Sequence, residues 1–371
     1  MDFKLTQEQL MLQDTAARLV RDTYGFAQRE QARDSACGFS TAFMQQLGEL
    51  GLCAVPFAEA YGGFGGSGVD THVIMTELGR GLCLEPFMHS VVYAGGLVAQ
   101  LGTEAQKQAL LPEVGSARLQ LAVALEEPQS HYQLHDVHTV ATPVEGGWTL
   151  DGRKSVVVGG QSAGLIVVSA RSREGISLFL LDPHAPGVGR RSFATFDGRM
   201  ACELYLQGAF VEAGALLGEP GGALAALRYQ QGRAIAAQCA EAVGSMEAAC
   251  ALTLDYLKTR RQFGQPIGTF QVLQHRMVDM HIELDQATSM ALLAACVADQ
   301  PDSDARSRTL AAAKFIVSRA SRFVADQGIQ LHGGIGLTWE YMLSHHAKHL
   351  LMVARQFGDD DHHLQTFAKL M

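Results

Sequence analysis

The apolar pattern of this chain changes period twice, and that double change restricts the folds open to it. Through residue 118 apolar residues recur at helical spacing. In LTQEQLMLQDTAARLVRDTY, Leu5, Leu10, Leu12, Ala16, Leu19 and Val20 fall near one face, and Thr6 with Glu8 suits a helix start. A further helix, FMQQLGELG, follows. From about 119 to 217 the segments turn short and β-branched: LQLAVAL, GWTLDGRKSVVV, LIVVSAR, ISLFLLD and CELYLQGAFV. Turn signals at Glu145-Gly146-Gly147, Asp151-Gly152 and Asp197-Gly198 lie between them. Alanine-rich helical stretches, such as GRAIAAQCAEAVGSMEAACALTLDYLKTR, then run to the C-terminus. Helices, then strands, then helices predict an α+β chain. Its expected parts are an N-terminal helical domain (1–118), a central antiparallel β domain of sandwich or barrel type (119–217) and a C-terminal four-helix-bundle-like domain (218–371). That order alone is compatible with many functions.

Composition narrows the classes. With 371 residues, 47% hydrophobic and 18% charged, the chain can bury a large core and does not resemble a disordered one. A net charge of −9 argues against a nucleic-acid binder. The seven cysteines (Cys37, Cys53, Cys83, Cys202, Cys239, Cys250 and Cys296) are scattered, odd in number and without a C-x-x-C pair, which suits free thiols in a reducing compartment. MDFKLTQEQL lacks the basic-then-apolar pattern of a signal peptide, and no charge-free run reaches the roughly 20 residues of a membrane span. The expectation is a soluble, cytoplasmic protein. Gly62, Gly63, Gly65, Gly66 and Gly68 make a glycine-rich loop, but no strand precedes it and no G-K-[S/T] follows, so a connector is expected rather than a phosphate cradle.

Two motifs carry chemistry. The first is Arg260, Phe263, Gly264, Pro266, Ile267, Phe270 and Gln271 within RRQFGQPIGTFQ. A guanidinium offers a forked set of charged donors to a pyrophosphate, an aromatic ring packs on a flavin or adenine, and a glutamine amide both donates and accepts. The second is Gln330, Gly333, Gly334 and Gly336 within QLHGGIG, where glycines let backbone N–H groups approach a phosphate. Alone it would be an ordinary helix-to-helix turn.

Together these motifs, with the element order, resemble the acyl-CoA dehydrogenase family over nearly the whole chain. The resemblance implies FAD as cofactor, held by Arg260, Phe263 and Gln271 across a subunit interface, with Gln330, Gly333 and Gly334 meeting the same cofactor from the neighbouring chain. Because that site is shared between subunits, the resemblance implies a dimer or a tetramer, with a homo- or heterotetramer expected. It also implies an acyl-CoA substrate, as in fatty-acid or steroid side-chain β-oxidation, and an electron-transfer flavoprotein as electron acceptor. In the middle domain the resemblance places Leu125, Glu126, Val157 and Val158 at flavin-contact positions, with departures. The family's T-E-P-G-x-G-S-D reads Glu126-Glu127-Pro128-Gln129-Ser130-His131-Tyr132, and its W-I-T reads Val156-Val157-Val158 after Asp151-Gly152-Arg153-Lys154.

The reaction needs a carboxylate to take the α-proton of the thioester while the flavin takes the β-hydride. Counted without gaps from Q-x-x-G-G, the family's glutamate falls on Phe357. Its other location, on the helix before Arg260, falls on Ala234, or on Gly232 when counted from Arg233. None is a base. Two carboxylates stand in reserve. Asp359 lies two residues beyond Phe357, although an acidic turn or a helix N-cap would also place an aspartate there. Glu241 shares the helix face of Ala234 seven residues on, where burial would raise its pKa, and it equally suits a buried ion pair. His345 and His349 share a helix face beside His346, yet no further ligand cluster completes a metal site and none is expected. His362-His363 reads as surface, and Leu350, Leu351 and Met352 as core. The reading is an acyl-CoA dehydrogenase giving a trans-2-enoyl-CoA. The alternatives are a non-catalytic partner subunit of a heteromeric enzyme, or a nitroalkane-type flavin oxidase with an aspartate base.

Overall fold

The computed structural model describes residues 4–371, so the first three residues of the stretch read for a targeting signal lie outside it. Ahead of the sheet come α1 (Gln7–Thr23), α2 (Phe26–Arg33), α3 (Thr41–Glu49), α4 (Gly68–Arg80), a π-helical segment Met88–Gly95, α5 (Gly96–Leu101) and α6 (Glu104–Gly115). The strands are β1 (Leu121–Ala124), β2 (Val140–Val144), β3 (Gly147–Val158), β4 (Leu165–Arg171), β5 (Ile176–Leu181), β6 (Val188–Ala194), β7 (Met200–Glu212) and β8 (Leu216–Leu217). After them run α7 (Ala223–Thr259), the short strands β9 (Arg261–Gln262) and β10 (Gln265–Pro266), then α8 (Gln271–Val297), α9 (Asp304–His332), α10 (Met342–Val353) and α11 (Asp360–Lys369). The fold is α+β, with helices on both sequence flanks of a central sheet.

Two compact units form, each discontinuous in sequence. The sheet unit comprises Glu30–Gly66 and Leu84–Ala234. Its strands follow the order β6-β7-β3-β2-β4-β5-β8, mostly antiparallel, while β1 pairs with β4 in parallel. Leu150, Ile166, Val168, Phe179 and Leu204 fill its core, and all six residues of β5 are buried, so that strand is covered on both faces. Glu145-Gly146 and Asp197-Gly198 are turns as read, with the glycines at φ +81° and +90°. Asp151-Gly152 is not a turn: it lies inside β3 at a bulge, where Asp151 Oδ1 accepts the Gly208 N–H at 2.7 Å. The extra residue keeps a twelve-residue strand on its neighbour while bending it. β2 and β6 were not among the strands read from the sequence; both are largely exposed and carry little apolar alternation.

The helical unit comprises Met1–Arg29, Ser67–Cys83 and Ile235–Met371. Thr6 caps α1 with Gln9 as its reciprocal partner, and Glu8 stands in the first turn, as the helix start read from the sequence requires. Ala16, Leu19 and Val20 form the buried stripe of α1, whereas Leu10 points to solvent. The apolar core runs through Cys239, Val243 and Met246 of α7, Met280 and Leu284 of α8, Val317 and Val324 of α9, and Leu343 and Leu350 of α10. At Gly79 and Gly244 the backbones of α4 and α7 touch. A Cβ at Gly79 would lie 1.9 Å from the Glu241 carbonyl oxygen, and one at Gly244 would lie 1.8 Å from that of Thr76. Gly62–Gly66 is a connector, and Ser67 with Asp70 closes a capping box on α4. No helix among the described residues is long and apolar enough to cross a membrane.

Candidate cofactor motifs and catalytic turn

Arg260 follows the last residue of α7, and β9 and β10 fold back as a hairpin through Phe263 and Gly264, at φ +53° and +81°. Both central residues are left-handed, as a two-residue hairpin turn of primed type requires. Glycine takes that conformation freely; phenylalanine does so at a cost of order 1–3 kcal/mol. The ring gains nothing from packing to offset it, since Phe263 is 91% exposed and meets only the edge of Phe270. Arg260 is exposed and has no acidic partner among the described residues. Gln271 opens α8, whose N-cap Phe270 contributes no side-chain hydrogen bond. A strained exposed ring, an unpaired guanidinium and an uncapped helix start together fit an anionic, planar ligand.

The second motif lies at the same end of the helical unit. His332 stacks on Tyr256, one turn before Arg260, with centroids 4.4 Å apart, and Arg276 of α8 donates to Gln327 of α9 at 3.4 Å. His332 Nδ1 donates to Gly328 O at 2.8 Å, which leaves Nε2 to accept from the Tyr341 hydroxyl at 3.3 Å. Gly333 sits at φ +67°, ψ −142°, a conformation open to glycine alone. Gly334 has no such need, and a Cβ there would touch nothing in this chain. Its bare backbone suits the close approach of another molecule. Gln330 is exposed beside it.

In the sheet unit, Leu125 and Glu126 run beside the end of β3: Ser155 N–H donates to Glu126 O at 2.8 Å, and Lys154 Nζ donates to Leu125 O at 3.4 Å. Val157 and Val158 are buried. Val156, where the family's aromatic would stand, is half exposed at φ +52°, which a β-branched residue rarely adopts. The Glu126 side chain reaches solvent, yet the protein crowded about its carboxyl raises its pKa. Sequence reasoning missed the residues that hold this segment. Lys154 Nζ donates to Glu127 Oε1 at 2.7 Å and to Ser169 Oγ at 2.9 Å, entirely inside the protein. Glu127 also accepts from His138 N, Thr139 N, Thr139 Oγ1 and Gln129 Nε2. Burial would raise the Glu127 pKa, but the Lys154 ammonium and these donors outweigh it and hold it down at about 2. The available signal was a lysine at an inward position of a strand, which must find an acid.

The two candidate bases sit in different surroundings. Asp359 is the N-cap of α11: Oδ1 accepts the His362 N–H at 2.9 Å, and Arg355 stands 3.9 Å from Oδ2. Phe357 and Gly358 before it are at φ +56° and +111°, and His363 Nε2 donates to Phe357 O at 2.9 Å. His363 is buried, not at the surface as the sequence suggested, because its ring serves this carbonyl. The N–H groups of Gly358 and Asp359 make no hydrogen bond among the described residues. Glu241 is buried, with His349 Nε2 3.9 Å from its Oε2. Gln238, just under a turn earlier on α7, is what reaches the turn before Asp359, donating to Gln356 Oε1 at 2.5 Å. His345, His346 and His349 are all buried on α10 with separate partners: Arg29 and Trp339 O for His345, Ser245 Oγ for His346, Glu241 for His349.

Three family models match the chain in succession: the N-terminal domain of acyl-CoA dehydrogenase over residues 6–118, its middle domain over 122–209 and its C-terminal domain over 223–371. The probable acyl-CoA dehydrogenase YngJ of Bacillus subtilis is 30% identical over 359 residues, 92% of either chain. The short-chain specific acyl-CoA dehydrogenase of Megasphaera elsdenii is 29% identical over 94% of either. Among solved structures, a variant of the Tcur3481-Tcur3483 steroid ACAD superimposes with a TM-score of 0.89 at 30% identity, over 98% of this chain and 97% of that one. Butyryl-CoA dehydrogenase from Megasphaera elsdenii does so with a TM-score of 0.91 at 25% identity, over 100% and 99%.

Proposed function

This chain belongs to the acyl-CoA dehydrogenase family, FAD-dependent oxidoreductases, and from that premise we propose that it dehydrogenates an acyl-CoA thioester to the trans-2-enoyl-CoA and passes the electrons to an electron-transfer flavoprotein. The observation that carries the reading is the convergence of Arg260, Phe263 and Gln271 with Gly333-Gly334 at one exposed end of the helical unit. Arg260 would meet the pyrophosphate of FAD, Phe263 its rings, and Gln271 and Gln330 its polar edges. The sheet unit's proposed flavin contacts are Leu125, Glu126, Val157 and Val158. Bound FAD would supply a hydride acceptor. The proposed work of this chain is then to polarise the thioester carbonyl through the N–H groups of Gly358 and Asp359, which have no partner among the described residues, and to take the α-proton on Asp359. A homo- or heterotetramer is the proposed assembly.

One observation favours a second reading, a non-catalytic partner in a heteromeric enzyme. Phe357 and Ala234 stand where a base is expected, and Asp359 already serves as a helix cap. The purified chain decides between them. Its visible spectrum is recorded, and short, medium and steroid-type acyl-CoAs are added without oxygen. A flavin spectrum that bleaches supports the dehydrogenase and ranks its substrates. A colourless protein that FAD does not reconstitute supports the partner subunit and overturns the first reading.

A further inference from the structure

The turn from Ala354 to Asp359 is gripped from α9 by a buried cation that neither motif contains. Lys314 is fully buried, and its Nζ donates to Ser318 Oγ at 3.2 Å and to Val353 O. Val353 closes α10, so this carbonyl is one of the four that a helix C-terminus leaves without an internal partner, at the negative end of its dipole. Two turns further along the same face of α9, Arg322 pairs with Asp360, the first residue of α11. Between these two grips, Gln238 holds Gln356 and His363 holds Phe357 O. The segment that carries Phe357, Gly358 and Asp359 is therefore pinned at both ends by one face of one helix. Burial lowers the Lys314 pKa to about 8, and the carboxylates of Asp360 and Asp359 pull the other way. A fully buried ammonium is expensive, and an apolar side chain of that length would fill the same space more cheaply.

We infer that Lys314 is a positioning residue for the reaction, fixing the Val353–Asp359 turn so that the Gly358 and Asp359 N–H groups and the Asp359 carboxylate are aimed at the thioester. It acts through the turn and touches neither substrate nor cofactor. The inference rests on the dehydrogenase reading above for what the turn does, but not for the grip itself.

The test is Lys314→Met in the full chain with its flavin, read in two ways. Amide exchange in peptides spanning 354–363 is expected to quicken about tenfold while peptides of α8 keep their rate. Flavin bleaching by the best acyl-CoA is expected to slow by about tenfold or more with little change in KM, the pattern of a lost transition-state interaction. Lys314→Gln, which keeps a donor, is expected to recover part of both. Unchanged exchange over 354–363 overturns the inference whatever the substrate result. Faster exchange with bleaching at the unsubstituted rate overturns it too, because the lysine would then be a structural fixture only. Should Lys314→Met fail to fold, Arg322→Gln loosens the other end of the turn from a half-exposed position and is read the same way. If no acyl-CoA bleaches the unsubstituted protein, it is the dehydrogenase reading that has failed, and exchange alone judges the grip.

Discussion

At the scale of single residues, the decisive distinction lies between side chains left unpaired and side chains paired inside. Arg260 and Phe263 stand out in the sequence because their spacing is local, and both side chains are exposed, as the proposed flavin contacts require. Lys154 and Glu127 were not, because their meeting depends on strand register across 27 residues. Removing one partner of such a pair leaves a buried charge without compensation, which costs roughly 3–5 kcal/mol. Glu127→Gln is therefore expected to lower the urea midpoint sharply, and Glu127→Gln with Lys154→Met to recover most of the loss. Equal midpoints for the single and double variants would show that the pair is not what holds this segment. Asp359 separates two roles in one side chain. Asparagine caps a helix about as well as aspartate, so Asp359→Asn is expected to keep stability within about 0.5 kcal/mol and to keep the yellow flavin, while losing bleaching by substrate. Full anaerobic bleaching by that variant would remove Asp359 as the base, and the same measurement on Glu241→Gln examines the buried rival.

At the scale of elements, α10 carries a constraint on pH. Arg29 can only donate, so His345 Nδ1 must accept from it and Nε2 must donate to Trp339 O at 2.7 Å. A neighbouring histidine, His346, faces Ser245, His349, His345 and Arg29 with no solvent to share a charge. Burial first, then the nearby positive groups, push its pKa from an ordinary 6.5 to about 3. A pKa lowered on folding gives stability that is complete above 6.5 and is lost as pH falls from there toward 3. The loss amounts to roughly 1.4 kcal/mol per pH unit for one such group. Urea midpoints are thus expected to fall between pH 7 and pH 4, and less steeply in His346→Gln; identical slopes would show that other groups set the acid limit. None of this was visible in the sequence, where three histidines in five residues raised a metal site only for it to be set aside for want of further ligands. A short, β-branched pattern did reveal β3 and β4 to the residue, β4 being buried at every position over 166–170. It left β2 and β6 unseen and placed a turn at the bulge in β3. Exposed strands carry no alternation, and Asp-Gly serves bulges as well as turns.

At the scale of the whole molecule, the helical unit keeps a large apolar surface uncovered. Val278 and Ile282, one turn apart on α8, are 55% and 50% exposed, and Phe263, Val272, Leu337 and Trp339 add to them. These are the helix and turns that flank Arg260 and Gly333, so on the proposed cofactor placement, covering the apolar face and completing the cofactor's surroundings are one requirement rather than two. A second chain of the same family would meet both. Charged substitutions on that face, Val278→Glu with Ile282→Glu, touch no buried core and are expected to leave each chain folded, with an unchanged far-ultraviolet spectrum. They are also expected to yield a smaller species by light scattering and to release FAD, because an interface core tolerates few unpaired charges. Loss of assembly with flavin fully retained would place the cofactor within a single chain. An unchanged assembly would show that partners meet through some other face, and the exposed ring of Phe263 would then have to be explained by the cofactor alone.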